Sequence, residues 1–309
     1  MTNPEVVGGR VAVAELWRQQ ARAARMRVVL ADGRDERAAE AAKILEREEL
    51  AIPVLLDDPA GFCSGAVRAA AETSPWSERI DLGDPLHVGA LMVAVGDADA
   101  CVGGASRSSA DVVRAALYCI GLAPGVETIS SCFLLVLPDG TPITYGDCGV
   151  VPDPDPDELA SIAISTATTH EQLAGEKARV AMLSYSTKGS ADGSRVERVR
   201  TATEIVRQRM PSLAVDGEMQ FDAAWDQQVA AAKAPGSDVA GRANVFVFPD
   251  LDSGNIAYKI TERLAGARAY GPLLQGTAGV VHDLSRGCSA DDIATVAVIA
   301  ACQATKGRP

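Results

Sequence analysis

The chain is poor in the side chains that build metal and redox sites. Its 309 residues include only three histidines, His87, His170 and His282, which lie far apart. The seven cysteines are Cys63, Cys101, Cys119, Cys132, Cys148, Cys288 and Cys302, and no two form a C-x-x-C pair. Zinc spacings are absent, so no metal is expected. An odd set of scattered thiols reads as buried free cysteines in a reducing cytoplasm. No G-x-G-x-x-G follows the first predicted strand and no G-x-x-x-x-G-K-[ST] occurs, which leaves neither a dinucleotide fingerprint nor a P-loop. Positive charge is also scarce, with 29 Lys and Arg against 41 Asp and Glu and a net charge of −12. Such a surface argues against nucleic acid, whose phosphates need a basic stripe. Met1 to Val11 lacks the basic-then-apolar pattern of a leader. The apolar tail from Ile293 to Cys302 falls short of the ~18 residues of a membrane span and reads as a buried terminal helix. No internal repeat or low-complexity segment appears.

What is present is apolar bulk in an alternating order. Hydrophobic residues make up 47% of the chain, enough for a sizeable core in two ordinary domains or one large one. Val11 to Met26 predicts a helix, Val28 to Leu30 a strand, Asp35 to Glu48 a helix and Ile52 to Leu56 a strand, the parallel α/β pattern. Asp57 to Pro85 is poorly patterned, with a short helical patch at Ala66 to Ala71. Val88 to Val95 is simply apolar. Strands are expected at 129–137, 144–150, 178–183 and 214–218, and helices at 158–167, 196–210 and 221–233. Lys188 reads as a solvated lysine.

The stretch from Asn244 to Asp292 carries most of the chemistry. Asn244 to Pro249 reads as a buried strand, Asp250 to Asn255 as a turn and Ile256 to Leu264 as a helix. A loop from Gly271 to Gly279 leads to Asp283-Leu284-Ser285-Arg286-Gly287-Cys288-Ser289, where the last helix begins. A strand, a polar loop and a helix start suit an anion. Arg263 and Arg286 would add bidentate donors, Ser285 a hydroxyl and Asp292 a base. Ser289-x-x-Asp292 is equally the pattern of a capping box. Cys288 beside Arg286 reads as a reactive thiol or as packing. A second loop, Gly103-Gly104-Ala105-Ser106-Arg107-Ser108-Ser109, opens a helix with Arg114. It fits an anion wall or an ordinary serine cap.

These segments together resemble the phosphate acetyltransferase (phosphotransacetylase) family. The likeness runs through Gly96-Asp97-Ala98-Asp99, Ser108-Ser109-Ala110-Asp111 with Arg114, Ser184 to Ser190, Asp216 to Ala223, and Asp250-Leu251 through Ile256 to Ser289. It implies two α/β domains with a cleft between them, in an isocitrate/isopropylmalate dehydrogenase-like fold. Residues 1–126 and 272–309 would form the first domain and 127–271 the inserted second. The implied reaction is reversible acetyl transfer between coenzyme A and inorganic phosphate. Acetyl-CoA, phosphate and acetyl phosphate are the small-molecule substrates, with no cofactor, no metal, no nucleic acid and no membrane. A cytoplasmic homodimer is the implied form. Ser285, Arg286 and Asp292 take the catalytic positions. Arg263, Arg114, Ser106, Ser108, Ser109 and Asn255 take the substrate-binding ones. A longer-chain, phosphate butyryltransferase-like acyl preference and a non-catalytic binding domain are the alternatives. One departure stands out: the family's basic Arg-Lys-x-Lys-Gly run before Pro85, implicated in holding coenzyme A, is missing.

Overall fold

The computed structural model of the chain describes residues 6–7, 10–11 and 13–306. Much of Met1 to Val11, read above as lacking a leader, lies outside the described residues. In chain order the elements are β1 (Val6–Val7), β2 (Arg10–Val11), α1 (Val13–Ala24), β3 (Arg27–Leu30), α2 (Glu36–Arg47), β4 (Ile52–Leu55), α3 (Gly65–Thr73), α4 (Pro85–Val95), β5 (Ala100–Gly103) and α5 (Ser109–Cys119). Then come β6 (Ser130–Val136), β7 (Pro142–Gly146), α6 (Pro156–Ala174), β8 (Arg179–Leu183), α7 (Ser194–Arg209), β9 (Ala214–Met219), α8 (Phe221–Trp225), α9 (Gln227–Lys233), β10 (Val245–Val247), α10 (Leu251–Ala265) and β11 (Arg268–Gln275). The chain closes with β12 (Val280–Asp283) and α11 (Ala290–Lys306). They form two compact units, residues 1–125 with 277–309, and residues 126–276.

The first unit is built on a parallel sheet in the order β12-β5-β3-β4. Val28, Val29 and Leu30 of β3 and Cys101 and Val102 of β5 are all buried. A strand covered on both faces reads as a continuous apolar run, which is why these have no alternation. Helices α1, α2 and α11 pack together, and α4 and α5 pack together. The apolar run at 88–95 is part of α4, which starts at an Asp84 cap with Pro85 in its first turn and stops at Gly96 in the left-handed region (φ 81°). Its hydrophobic residues surround the helix axis, so the sequence has no helical stripe to show. The tail of α11 is buried, and no described helix is long and apolar enough to cross a membrane.

The second unit holds a mixed six-stranded sheet, β11-β6-β7-β10-β8-β9, antiparallel at the β11 side and parallel from β7 onward. Its strands feed two cores in alternation. Phe246, Ala181 and Leu183 enter one core, and Val245, Val247, Val180 and Met182 enter the other beside residues of α6 and α7. Several predicted boundaries move here. The loop expected from Gly271 is partly strand, because β11 continues through Gly271 and Pro272 with a register shift between Tyr270 and Leu273. The strand expected to reach Val150 ends at Gly146. Asp147 then accepts from the N–H groups of Ser131, Gly149 and Val151. The helix expected over 221–233 breaks at Asp226, whose carboxylate caps α9. The turn at 250–255 is instead the first turn of α10, capped by Asp250 through the Ser253 N–H at 2.9 Å.

Candidate active site

The residues of interest in the first unit stand at one edge of its sheet. Parallel strands all send their next loops out at the carboxyl edge, and in open α/β sheets ligands bind there. The loops after β3, β5 and β12 meet at this edge, and two polar side chains join them, Asp32 buried and Arg37 partly buried.

Asp32, just past β3, is the first of these. Its Oδ2 accepts from the N–H groups of Gly104 (2.8 Å) and Ala105 (2.9 Å). Its Oδ1 accepts from the Ser106 N–H at 3.1 Å and from the Ser106 hydroxyl at 2.5 Å. The Gly/Ser loop thus spends these donors on an internal carboxylate. Gly104 sits at φ 114°, and a Cβ there would fall 2.4 Å from Oδ1 of Asp283. Only glycine meets both demands.

Arg37 is the second joint. Its Nη1 donates to the carbonyls of Arg286 and Cys288, and its Nη2 to the carbonyl of Ala105, each at 2.9 Å. Asp35 pairs with the same guanidinium at 2.7 Å. The pairing holds the Asp35 carboxyl below its usual range and raises the Arg37 guanidinium. One planar donor fork therefore fastens the loop after β5 to the loop after β12. Neither Asp32 nor Arg37 was expected from sequence.

The 285–289 loop held in this way exposes Ser285 and Arg286. The Ser285 hydroxyl accepts from the Gly287 N–H at 3.3 Å. The Arg286 guanidinium has no hydrogen bond or ion pair among the described residues. Cys288 is buried, and burial pushes its thiol up against the opposing pull of Arg37. A raised thiol is a poor nucleophile, so the packing reading of Cys288 prevails.

Asp292 makes the capping box. Its Oδ2 accepts from the Ser289 N–H and hydroxyl, both at 2.8 Å, and its own N–H donates back to the Ser289 hydroxyl at 3.2 Å. All of this uses one oxygen. Oδ1 has no partner among the described residues, and the residue is exposed. Cap and proton acceptor are therefore compatible in a single side chain.

Ser108 likewise caps α5 in a box with Asp111, and Arg114 pairs with Asp111 at 2.6 Å. The Ser108 hydroxyl, then Arg114, bring the Asp111 carboxyl down to about 2. Ser109 is exposed at the start of α5, and Asp283 at the end of β12 is a buried carboxyl. Burial outweighs the Ser109 hydroxyl and the Leu284 N–H and lifts Asp283 to about 6.

Two of the expected residues belong to the second unit. Asn255 donates to the Cys148 carbonyl at 3.0 Å and accepts from Lys259 at 2.7 Å. Arg263 is exposed and lies 3.4 Å from Glu262. Lys188 is exposed, as a solvated lysine would be, and pairs with Asp216. Among the described residues no cluster of His, Cys, Asp and Glu could hold a metal ion.

An exposed arginine, two serine-led helix caps and a carboxylate oxygen with no partner among the described residues thus stand at the carboxyl edge of a parallel sheet, an arrangement that suits an anionic small molecule. The chain belongs to the family described as phosphate acetyl/butaryl transferase, whose model matches residues 66–301. It is 53% identical to a phosphate acetyltransferase of Acetivibrio thermocellus over 72% of this chain and 68% of that one. It is 44% identical to a phosphate acetyltransferase of Paracoccus denitrificans over 92% and 97% of the respective chains. The structure superposes on the crystal structure of a phosphotransacetylase from Streptococcus pyogenes with a TM-score of 0.89 at 39% identity, covering 95% of this chain and 98% of that one.

Proposed function

We infer that this chain moves an acetyl group reversibly between coenzyme A and inorganic phosphate. The observation that carries the reading is the Arg286 guanidinium, exposed and without a partner among the described residues, on a loop fixed by Arg37 and beside the Ser285 hydroxyl. A fixed cation is what a phosphate charge needs in a closing site.

In the direction of acetyl phosphate, a phosphate oxygen attacks the thioester carbonyl carbon, the C–S bond breaks, and the thiolate leaves with the electron pair. In the reverse direction Asp292 takes the thiol proton through Oδ1, sulfur attacks the carbonyl carbon of acetyl phosphate, and phosphate leaves. A thiol's ordinary pKa of ~8.5 makes a modest base sufficient. Ser285 sits by the reacting carbonyl and Arg286 stabilises the charge on phosphate. Positioning and charge stabilisation supply most of the rate. The reading also takes in the isocitrate/isopropylmalate dehydrogenase-like fold, a cleft between two domains, substrate contacts from Arg114, Arg263, Ser106, Ser108, Ser109 and Asn255, and a homodimer. Ser106, Ser108 and Asn255 would serve the substrate through the loops that they shape, since each is engaged in internal hydrogen bonds.

The test is loss of coenzyme A thiol on adding acetyl phosphate to purified protein, repeated with butyryl phosphate. Acetyl phosphate should be the faster donor. No thiol loss with either donor would leave only a binding domain.

A further inference from the structure

The end of β12 carries a buried carboxyl that the reaction as described does not use. Asp283 pairs in register with Gly103 of β5 and stands two residues before Ser285. It is 2% exposed, and its Oδ1 has no hydrogen-bond partner among the described residues. We propose that Asp283 is a positioning residue for acetyl transfer, which seats the loop of Ser285 and Arg286 against the Gly104 loop for as long as it stays neutral. This rests on the acetyl-transfer reading, because the loop it seats is the one that reading uses.

The fit is close at Gly104. A Cβ there would fall 2.4 Å from Oδ1 of Asp283 and 3.0 Å from the Leu284 nitrogen. The Asp283 carboxyl therefore packs where any side chain at 104 would have to begin. Beside it the Leu284 N–H donates to the Gly103 carbonyl at 2.9 Å. Arg37 ties the same two loops from a partly exposed position, through the carbonyls of Ala105, Arg286 and Cys288. Asp283 is the buried contact between them, and the backbone that leaves it is the Ser285 loop.

This place suits an acid only in its neutral form. A buried charge without donors is costly. The donors at hand go to the other carboxyl beside Gly104: Asp32 accepts from the N–H groups of Gly104, Ala105 and Ser106 and from the Ser106 hydroxyl. The nearby cations are taken elsewhere, Arg37 by Asp35 and Arg107 by Asp84. On the helices packed against β12, Asp111 of α5 is engaged by Ser108 and Arg114, and Asp292 of α11 by Ser289. His282, its neighbour in β12, is hydrogen-bonded to Gln303 at 2.6 Å. Burial, and to a smaller degree the Asp32 charge, lift Asp283 from 3.8 to about 6.

The contact therefore loosens as pH rises. When the loop opens, Asp283 meets water and titrates as an ordinary carboxyl. With its closed-state pKa raised, it stabilises the closed loop fully below about pH 4 and loses that contribution as pH rises through about 6. The opening equilibrium then grows roughly fiftyfold between about pH 4 and about pH 7 and is nearly flat above. Rate follows, because displacing a reacting group by even ~1 Å can cost ~10²-fold.

The test compares the full chain as wild type, Asp283→Asn and Asp283→Ala. Amide hydrogen exchange at Leu284 is followed from about pH 4 to about pH 7 and corrected for the intrinsic effect of pH. Protection in wild type, relative to Asp283→Asn, should fall roughly fiftyfold over that range. Turnover of Asp283→Asn relative to wild type should rise by up to about tenfold between about pH 5 and about pH 8, since the titrations that both share cancel in the ratio. Asp283→Ala empties the contact at Gly104 and should turn over at least about tenfold more slowly at about pH 5, a loss that asparagine largely restores. Should the alanine variant fail to fold, the pair of wild type and asparagine decides. A turnover ratio constant within about twofold, or Leu284 protection that changes equally in both, would overturn the role. Thiol loss by wild type together with such a flat ratio would sink Asp283 alone. No thiol loss by wild type would remove the reaction and this role with it.

Discussion

Nη1 of Arg37 lies 2.9 Å from the carbonyl oxygen of Arg286, a residue 249 positions further along the chain. The same nitrogen holds the Cys288 carbonyl, and its neighbour holds Ala105. The backbone that presents Arg286 is therefore shaped by a helix at the other end of the sequence.

Replacing Arg37 by lysine keeps the charge and removes the fork, since a single ammonium cannot reach three carbonyls and Asp35 in the same geometry. Arg37→Lys should lower turnover by at least tenfold and the melting temperature by several degrees. A shift of the Ser285–Cys288 backbone costs rate even though Arg37 touches no substrate. Steady-state kinetics with thermal melting decides it. Turnover within about twofold of wild type, when even a 1 Å misplacement can cost ~10²-fold, would show that the loop holds its shape without the clamp.

Asp283 gives stability a pH dependence of stated sign. Burial holds its folded pKa at about 6, above the ordinary 3.8. A carboxyl with a raised folded pKa prefers to be neutral in the native state. Its contribution is whole below about pH 4 and is lost as pH rises through about 6, with ~1.4 kcal/mol at stake for each pH unit between the two values. Asp283→Asn removes that ionisation. The variant's melting temperature, relative to wild type, should rise by a few degrees between about pH 4 and about pH 8, on either side of that titration. An unchanged difference across the range would mean that Asp283 ionises normally.

Asp292→Asn separates the two duties of one side chain. Asparagine keeps an acceptor for the Ser289 N–H, so loss of capping should cost at most about 1 kcal/mol. Removing the base should cost ~10²–10⁴ in turnover, partly recovered at high pH where the thiol ionises unaided. Near-normal turnover at neutral pH would leave Asp292 as a cap only.

Most of what makes this fold was legible locally. The apolar runs at Val28 to Leu30 and Asn244 to Pro249 contain β3 and β10. The Ser289-x-x-Asp292 spacing is the box that opens α11. The misreadings came from punctuation that tertiary pairing overrode. Gly271-Pro272 looks like a loop, yet β6 pairs on both sides of it and keeps β11 a strand. Asp250 to Asn255 is dense in turn formers because Asp250 caps a helix. Asp32, Arg37 and Asp283 were illegible for another reason. Asp32 and Arg37 hold backbone far away in sequence, Asp283 is buried against Gly104, and no local spacing encodes such a neighbour. The sequence places Arg37 near the start of the helix predicted from Asp35, and only the fold shows what its guanidinium reaches.

The most direct measurement follows coenzyme A thiol after adding acetyl phosphate, in wild type and Arg286→Ala side by side. Wild type should consume the thiol catalytically. Arg286→Ala should melt within a few degrees of wild type and turn over at least about a hundredfold more slowly, the usual worth of one fixed donor to a developing charge. No thiol loss in wild type would contradict acetyl transfer, and a variant within about threefold of wild type, far below that usual worth, would take Arg286 out of the reaction.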